Sequence, residues 1–243
     1  MRAVNGHAIR LVSFDVGGTL IHPHPSVGAI YAEVLTRLGF SCEEEHVERA
    51  FEESWDAAAR AVPEARERYS LSPGGERGYW RELLQDTVRR LGGCEPPRGA
   101  AEELFERFAR AECWRVYPEV FDTLATLERR GVKMAVVSNW DSRLPALLRE
   151  LGLRHHFGPL VVSALECLEK PDPRIFRLAA ERGGVRPGET LHVGDRQRED
   201  VEGARSAGLA GLAIDRSAAG GEGLGKVLDY LEAPAAARQE AHS

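Results

Sequence analysis

The chain has 243 residues, 43% of them hydrophobic and 29% charged, and 32 Lys and Arg against 38 Asp and Glu leave a formal net charge of −6. That supports a core in one or two domains, while no run reaches the roughly 18–20 apolar residues a membrane helix needs. Acidity without a basic stripe argues against a nucleic-acid partner, and residues 1–10 lack the apolar stretch of a secretion signal, so a cytoplasmic protein with no membrane partner is expected.

In chain order, 9–14 (IRLVSF) predicts a short buried strand that stops at Asp15 and meets the tight loop Gly17-Gly18. From 22 to 117 no strand pattern is visible. Amphipathic helices are predicted over 27–38, 44–61, 77–91 and 100–114, with Pro23 and Pro25 as an entrance hinge and Pro118 as an exit hinge. Thereafter helix and strand alternate. Helices are predicted over 119–130, 142–151, 173–182 and 201–207, each closed by a nearby glycine (Gly131, Gly152, Gly183, Gly208). Strands are predicted over 132–137, 159–162, 190–193 and 211–214. Short buried strands separated by helices call for an α/β fold with a Rossmann-like parallel sheet covered on both faces. The expected organisation is a core of 1–21 and 118–232, an inserted four-helix domain over 22–117, and a disordered tail from 233 to 243. The four cysteines (Cys42, Cys94, Cys113, Cys167) form no CxxC pair and are expected to be buried free thiols.

In such sheets, ligands gather beyond the C-terminal strand ends, where strand order reverses. Asp15 follows the first strand, Ser138-Asn139 the second and Asp195 the fourth, with Asp200 five residues further on. Lys170, one of only three lysines among 32 basic residues, precedes Pro171-Asp172-Pro173. Singly, these are ordinary turn formers and helix caps. Together, converging carboxylates repel unless a cation sits among them, and an all-oxygen site suits Mg²⁺ and a phosphate.

The blocks SFDVGGTL, VVSNWD, EKPDPRIF and HVGDRQREDVEGARSAG, in this order, resemble the four motifs of the haloacid dehalogenase superfamily of hydrolases. The resemblance covers about residues 9–215, and details such as SNWDSRL are similar to its rhythmically-expressed-gene branch. It puts the helical insertion where the superfamily carries a cap domain. It implies Asp15 as a nucleophile that takes the phosphoryl group of a phosphorylated small molecule as an aspartyl-phosphate, with Ser138 and Lys170 as catalytic partners. It further implies phosphate contacts from the loop Val16, Gly18 and Thr19 and from Asn139. Mg²⁺ would be held by Asp15, the Gly17 main-chain carbonyl, Asp195 and Asp200.

One departure matters. The superfamily's phosphatases carry a second Asp two residues after the nucleophile as general acid, and here Gly17 stands there. The missing proton donor is worth about 10²–10⁴ in rate. Three readings follow: a selective Mg²⁺-dependent phosphohydrolase, either acting on an acyl phosphate or activated ester whose leaving group needs no proton or recruiting His22 or His24 as a substitute acid; a metal-independent carbon–halogen hydrolase, whose halide needs no proton; and a non-catalytic binder of phosphate ligands. His155-His156 reads as a solvated pair at a helix end. Trp140 and Asp141 read as pocket-mouth or packing residues, and Trp55, Tyr69, Tyr79, Trp80 and Trp114 chiefly as packing of the insertion, with one or two facing the substrate cleft. Residues 22–117 hold 18 acids and 13 bases, a net of −5, so the chain's acidity belongs to the insertion.

Overall fold

The computed structural model describes residues 3–4, 7–63, 66–216 and 223–233. A ribbon of β1 (Ala3–Val4) and β2 (His7–Ala8) precedes β3 (Leu11–Phe14), which is buried along its whole length. After Asp15 come β4 (Ile21–Pro23), α1 (Val27–Arg37), α2 (Glu44–Ala61), the single turn α3 (Arg68–Leu71), α4 (Gly75–Arg90) and α5 (Ala100–Arg107). The chain returns through β5 (Trp114–Val116) into α6 (Val120–Arg129), β6 (Lys133–Ser138), α7 (Leu144–Glu150) and β7 (Leu160–Val162). The remainder is α8 (Ser163–Glu166), α9 (Pro173–Gly183), β8 (Thr190–Gly194), α10 (Gly203–Ser206), β9 (Ala210–Ala213) and α11 (Lys226–Glu232).

Five strands form one parallel sheet in the order β7-β6-β3-β8-β9. Their near-continuous apolar runs suit burial on both faces. The helices bury matching stripes: Val120, Thr123, Leu124 and Leu127 on α6, and Ile175, Phe176, Ala179, Ala180 and Gly183 on α9. Successive strands run outward from β3 to β7, then cross to β8 on the other side. The crevice between β3 and β8 is therefore the point where strand order reverses, and the chain leaving β3, β6 and β8 meets there. One apolar cluster continues from the sheet (Val12, Phe14, Val136) into the helical insertion (Ile30, Leu35, Leu84, Leu104).

The strand-free reading of 22–117 needs correction at both ends. β4 and β5 pair antiparallel, Ile21 opposite Val116 and Pro23 opposite Trp114, so a ribbon joins the entrance and exit of the insertion. The helix predicted to reach residue 114 ends at Arg107, and the Trp114 indole N–H donates to the Phe108 carbonyl at 3.1 Å. The helix predicted over 201–207 begins as a π-helical turn, Gln197–Glu202, before α10. The left-handed residue closing α9 is Gly184, not Gly183; a Cβ on Gly183 would lie 2.8 Å from Leu11 Cδ2, so that glycine serves helix–sheet contact. All four cysteines are free, but only Cys113 is buried, and Cys94 and Cys167 are exposed. Of the tail expected from residue 233, all but Ala233 lies outside the described residues. Among the described residues, no helix is long and apolar enough to cross a membrane.

Candidate active site

The strand ends bring the polar residues to one point. Asp15 is anchored where its N–H donates to the Val193 carbonyl of β8 (2.9 Å). Its Oδ1 accepts from Ser138 Oγ at 2.9 Å and from Lys170 Nζ at 2.7 Å. The same ammonium donates to Asp200 Oδ1 at 2.6 Å, so one cation bridges two carboxylates in a site where Lys170 and Asp200 are almost wholly buried. Asp200 is further held by the Arg196 N–H on Oδ2 (2.9 Å) and by His192 Nε2 on Oδ1 (3.2 Å). Since the carboxylate only accepts, Nε2 carries the ring proton and Nδ1 accepts from Ser13 Oγ at 2.9 Å. Ser13 and His192 are cross-strand partners, so this polar chain is built into the sheet register.

Two glycines make the convergence possible. A Cβ on Gly194 would lie 2.2 Å from Asp200 Cγ, and one on Gly18, whose φ is +73°, would lie 2.6 Å from Asp195 Oδ2. Oxygens of Asp15, Asp195 and Asp200 consequently lie within 4.8 Å of one another. Burial, with the charges of Asp15 and Asp200, pushes the Asp195 carboxyl up to about 6. Burial also works against the Asp200 charge, yet Lys170 and His192 hold its carboxyl well below the usual range. Burial drives the His192 imidazole pKa down, against the pull of Asp200. Three carboxylates with one ammonium among them leave excess negative charge, and the all-oxygen donor set fits a hard divalent cation.

The structure refines several expected contacts. Thr19 Oγ1 reaches Asp195 Oδ1 at 3.5 Å. The N–H groups of Gly18 and Thr19 close the loop on Ile21 and Val16 carbonyls, which leaves Val16 and Gly17 as the amides to consider for a phosphate. Asn139 is directed elsewhere than expected: its side chain brackets the backbone of Lys170, donating to the carbonyl (3.0 Å) and accepting from the N–H (2.8 Å). It therefore positions the lysine. His24 is exposed, His22 packs on Tyr117 with Nδ1 on the Pro23 carbonyl, and neither is among the residues lining the cavity over Asp15. His155 is exposed as expected, whereas the His156 side chain is largely covered and lies 3.7 Å from Glu128.

That cavity, about 510 Å³, lies between the strand ends and the helical insertion. More of the insertion's aromatics than the one or two expected line it: Trp55, Tyr69, Trp80 and Trp114, along with Trp140, although Tyr69 and Trp114 remain buried. Asp141 is fully buried and accepts from Trp80 Nε1 at 2.8 Å and from Arg143, tying α4 to the loop after β6.

Sequence reasoning missed a second tie. Arg68 of α3 makes a buried pair with Glu169, its Nη2 2.5 Å from Oε1 and its backbone N–H 2.9 Å from Oε2. Glu169 is the immediate neighbour of Lys170, so the insertion grips the segment that carries the lysine. An acid beside Lys170 was the only available signal, and its partner is 101 residues away. Arg68→Met strands a buried carboxylate and is expected to cost about 3–5 kcal/mol in urea denaturation. The double replacement Arg68→Met/Glu169→Met is expected to recover most of that loss.

With this geometry in view, comparisons with known proteins agree. Residues 9–208 match the family model described as haloacid dehalogenase-like hydrolase. The mouse haloacid dehalogenase-like hydrolase domain-containing protein 3 is 36% identical over 204 residues, covering 83% of this chain and 80% of that protein. A phosphoserine phosphatase of Thermus thermophilus is 34% identical over 229 residues, covering 86% and 89% respectively. Among solved structures, the L-2-haloacid dehalogenase of Xanthobacter autotrophicus superposes with a TM-score of 0.64 at 25% identity, covering 87% of this chain and 79% of that one. The chain belongs to the haloacid dehalogenase-like hydrolases.

Proposed function

We propose that the protein is a Mg²⁺-dependent phosphohydrolase that takes a phosphoryl group onto Asp15 and passes it to water. In this reading residues 22–117 are a cap domain over a core of 1–21 and 118–232, and the substrate is a small phosphorylated molecule. The observation that carries it is the setting of Asp15, one carboxylate oxygen held by both Ser138 and Lys170 beside two further carboxylates. The likeness to a phosphoserine phosphatase supports it.

Asp15, Asp195 and the Gly17 carbonyl would hold the cation, with Asp200, whose oxygens already serve Lys170, His192 and Arg196, in a supporting position. When bound, Mg²⁺ would draw charge from the phosphoryl oxygens and offset the repulsion among the carboxylates. Ser138 and the Val16 and Gly17 amides orient the phosphoryl group against the Asp15 carboxylate. Lys170 neutralises charge on both. Asn139 keeps the Lys170 backbone in place, and the cap, gripping Glu169 through Arg68, excludes bulk water during transfer.

Mg²⁺ at about 100 times its Kd should stabilise the protein by about 2.7 kcal/mol. Asp195→Asn should abolish that shift and, by removing one of three repelling charges, raise the melting temperature of the metal-free protein at pH 8. Thermal denaturation with and without Mg²⁺ checks both signs. The function itself is tested by phosphate release from a panel of phosphate esters, acyl phosphates and anhydrides; release that requires Mg²⁺ and stops with a chelator is the expected result.

A second reading, carbon–halogen hydrolysis on Asp15, is favoured by Gly17 and by the likeness to a haloacid dehalogenase structure. Halide release from a 2-haloacid in the presence of a chelator would establish it in place of the first. If the protein only binds phosphate ligands, neither product appears.

A further inference from the structure

The space above Gly17 is filled by indole. A Cβ built on Gly17 would meet Trp140 Cζ3 at 3.1 Å and Cη2 at 3.9 Å, so Trp140 lies over the position from which a side-chain acid would reach the departing group. Trp140 is held there. Its N–H donates to Ser163 Oγ (3.1 Å), its carbonyl accepts from the Ala164 N–H (3.2 Å), and its ring packs against Trp114 with centroids 5.0 Å apart. The cavity that opens from Asp15 is lined by every tryptophan in the chain, Trp55, Trp80, Trp114 and Trp140.

Two independent features thus bear on the group that leaves phosphorus. An apolar ring in the acid's place offers no proton, which favours a departing oxygen that can carry its own negative charge. A phenolic oxygen, with a pKa of about 10, does so far more readily than an alkoxide. Indole surfaces around the same cavity match a planar aromatic ring through offset or edge contacts.

Resting on the phosphohydrolase reading above, we propose that the substrate is an aryl phosphate, its ring held beside Trp140 and Trp114. An Asp15 oxygen forms a bond to phosphorus as the bond from phosphorus to the aryl oxygen breaks, and the electron pair leaves with the aryloxide, which takes a proton from solvent. Water then attacks phosphorus in the aspartyl-phosphate. The bond to Asp15 breaks, its electrons return to the carboxylate, and the water's proton passes to solvent. Ester and water become phenol and inorganic phosphate.

The test compares four substrates with Mg²⁺ and the intact chain: phenyl phosphate, benzyl phosphate, acetyl phosphate and glycerol phosphate. Benzyl phosphate keeps a ring but must expel an alkoxide, while acetyl phosphate has a good leaving group without a ring. Phenyl phosphate is expected to exceed benzyl phosphate in kcat/KM by about 100-fold or more, and to have a lower KM than acetyl phosphate. Trp140→Ala is expected to raise KM for phenyl phosphate about tenfold more than for acetyl phosphate.

Benzyl phosphate turned over within tenfold of phenyl phosphate would overturn the proposal, because it would require an acid elsewhere. Glu199, which lines the cavity, is then the group to replace, and a Glu199→Gln loss confined to alkyl esters would identify it. Equal KM values for phenyl and acetyl phosphate would overturn the role of the ring. Phosphate released from none of the four would instead overturn the phosphohydrolase reading on which the proposal stands.

Discussion

Asp15→Asn is expected to lower phosphate release by about 10⁴-fold or more while leaving the protein folded. The amide is nearly the same shape as the carboxylate and can still accept from Ser138 Oγ, whose partner lies at 2.9 Å in the wild type. What it loses is the anionic oxygen that attacks phosphorus in the proposed reaction. It also loses the charge that Lys170 faces at 2.7 Å, but it removes repulsion toward Asp195 at the same time, so its melting temperature should stay close to that of the wild type. Circular dichroism and single-turnover phosphate release measure the two halves. Turnover at the wild-type level in this variant would mean that Asp15 is not the nucleophile or that a contaminating phosphatase is being measured.

Lys170→Met should destabilise the protein as strongly as Arg68→Met. Lys170 is 4% exposed, its ammonium bridges Asp15 and Asp200 at 2.7 and 2.6 Å, and a thioether leaves both carboxylates buried without it. Removing one partner from such a set costs about 3–5 kcal/mol, or about 10 °C in melting temperature for a chain of this size. Mg²⁺ should recover part of the loss, because a cation among the carboxylates offsets the same repulsion. Lys170→Arg should not restore activity: a planar fork does not fit where a point charge meets two oxygens within 2.7 Å. A melting temperature unchanged by Lys170→Met would show that the two carboxylates are not held by this ammonium.

The five parallel strands were legible because each is a short, mostly apolar run ended by a polar residue, a local signal strong enough to survive the polar residues Ser13 and His192 within it. Asp15, Ser138 and Asp195 were legible as a group for the same reason, since each stands at a strand end that the topology brings together, and Asp200 follows Asp195 by five residues in the helical turn Gln197–Glu202. The β4–β5 ribbon was not. Its strands have three residues each, too few for alternation to register, and they pair across about ninety intervening residues. Asn139 shows a different limit. Its place beside Ser138 suggested phosphate, but its amide matches the Lys170 backbone 31 residues on, and only the fold reveals that partner. The aromatics of the insertion carry the helical spacing of core residues, so their turn toward the cavity was hidden in the same pattern. His192 did leave a trace: it is the one polar ring in the apolar run Leu191 to Val193, and it proves to be fully buried against Asp200.

The acidic insertion also acquires a physical meaning. Its net charge of −5 does not favour long-range attraction of polyanions, whereas a cavity whose walls mix four tryptophans with charged side chains such as Arg68, Arg143 and Glu199 selects by contact. The proposed substrate, with one phosphoryl group and an aromatic body, draws on the indole part of that wall.

The most direct test of the central claim is acid quenching of the Mg²⁺-loaded protein during turnover of phenyl phosphate, followed by mass spectrometry of the peptide that contains Asp15. Attack on phosphorus by its carboxylate predicts the added mass of one phosphoryl group on Asp15, removable by hydroxylamine and absent in Asp15→Asn. When turnover is run in ¹⁸O-water, the label should enter phosphate and not the Asp15 carboxylate. Label appearing in that carboxylate, or a burst of phenol with no phosphoryl group on Asp15, would contradict the account.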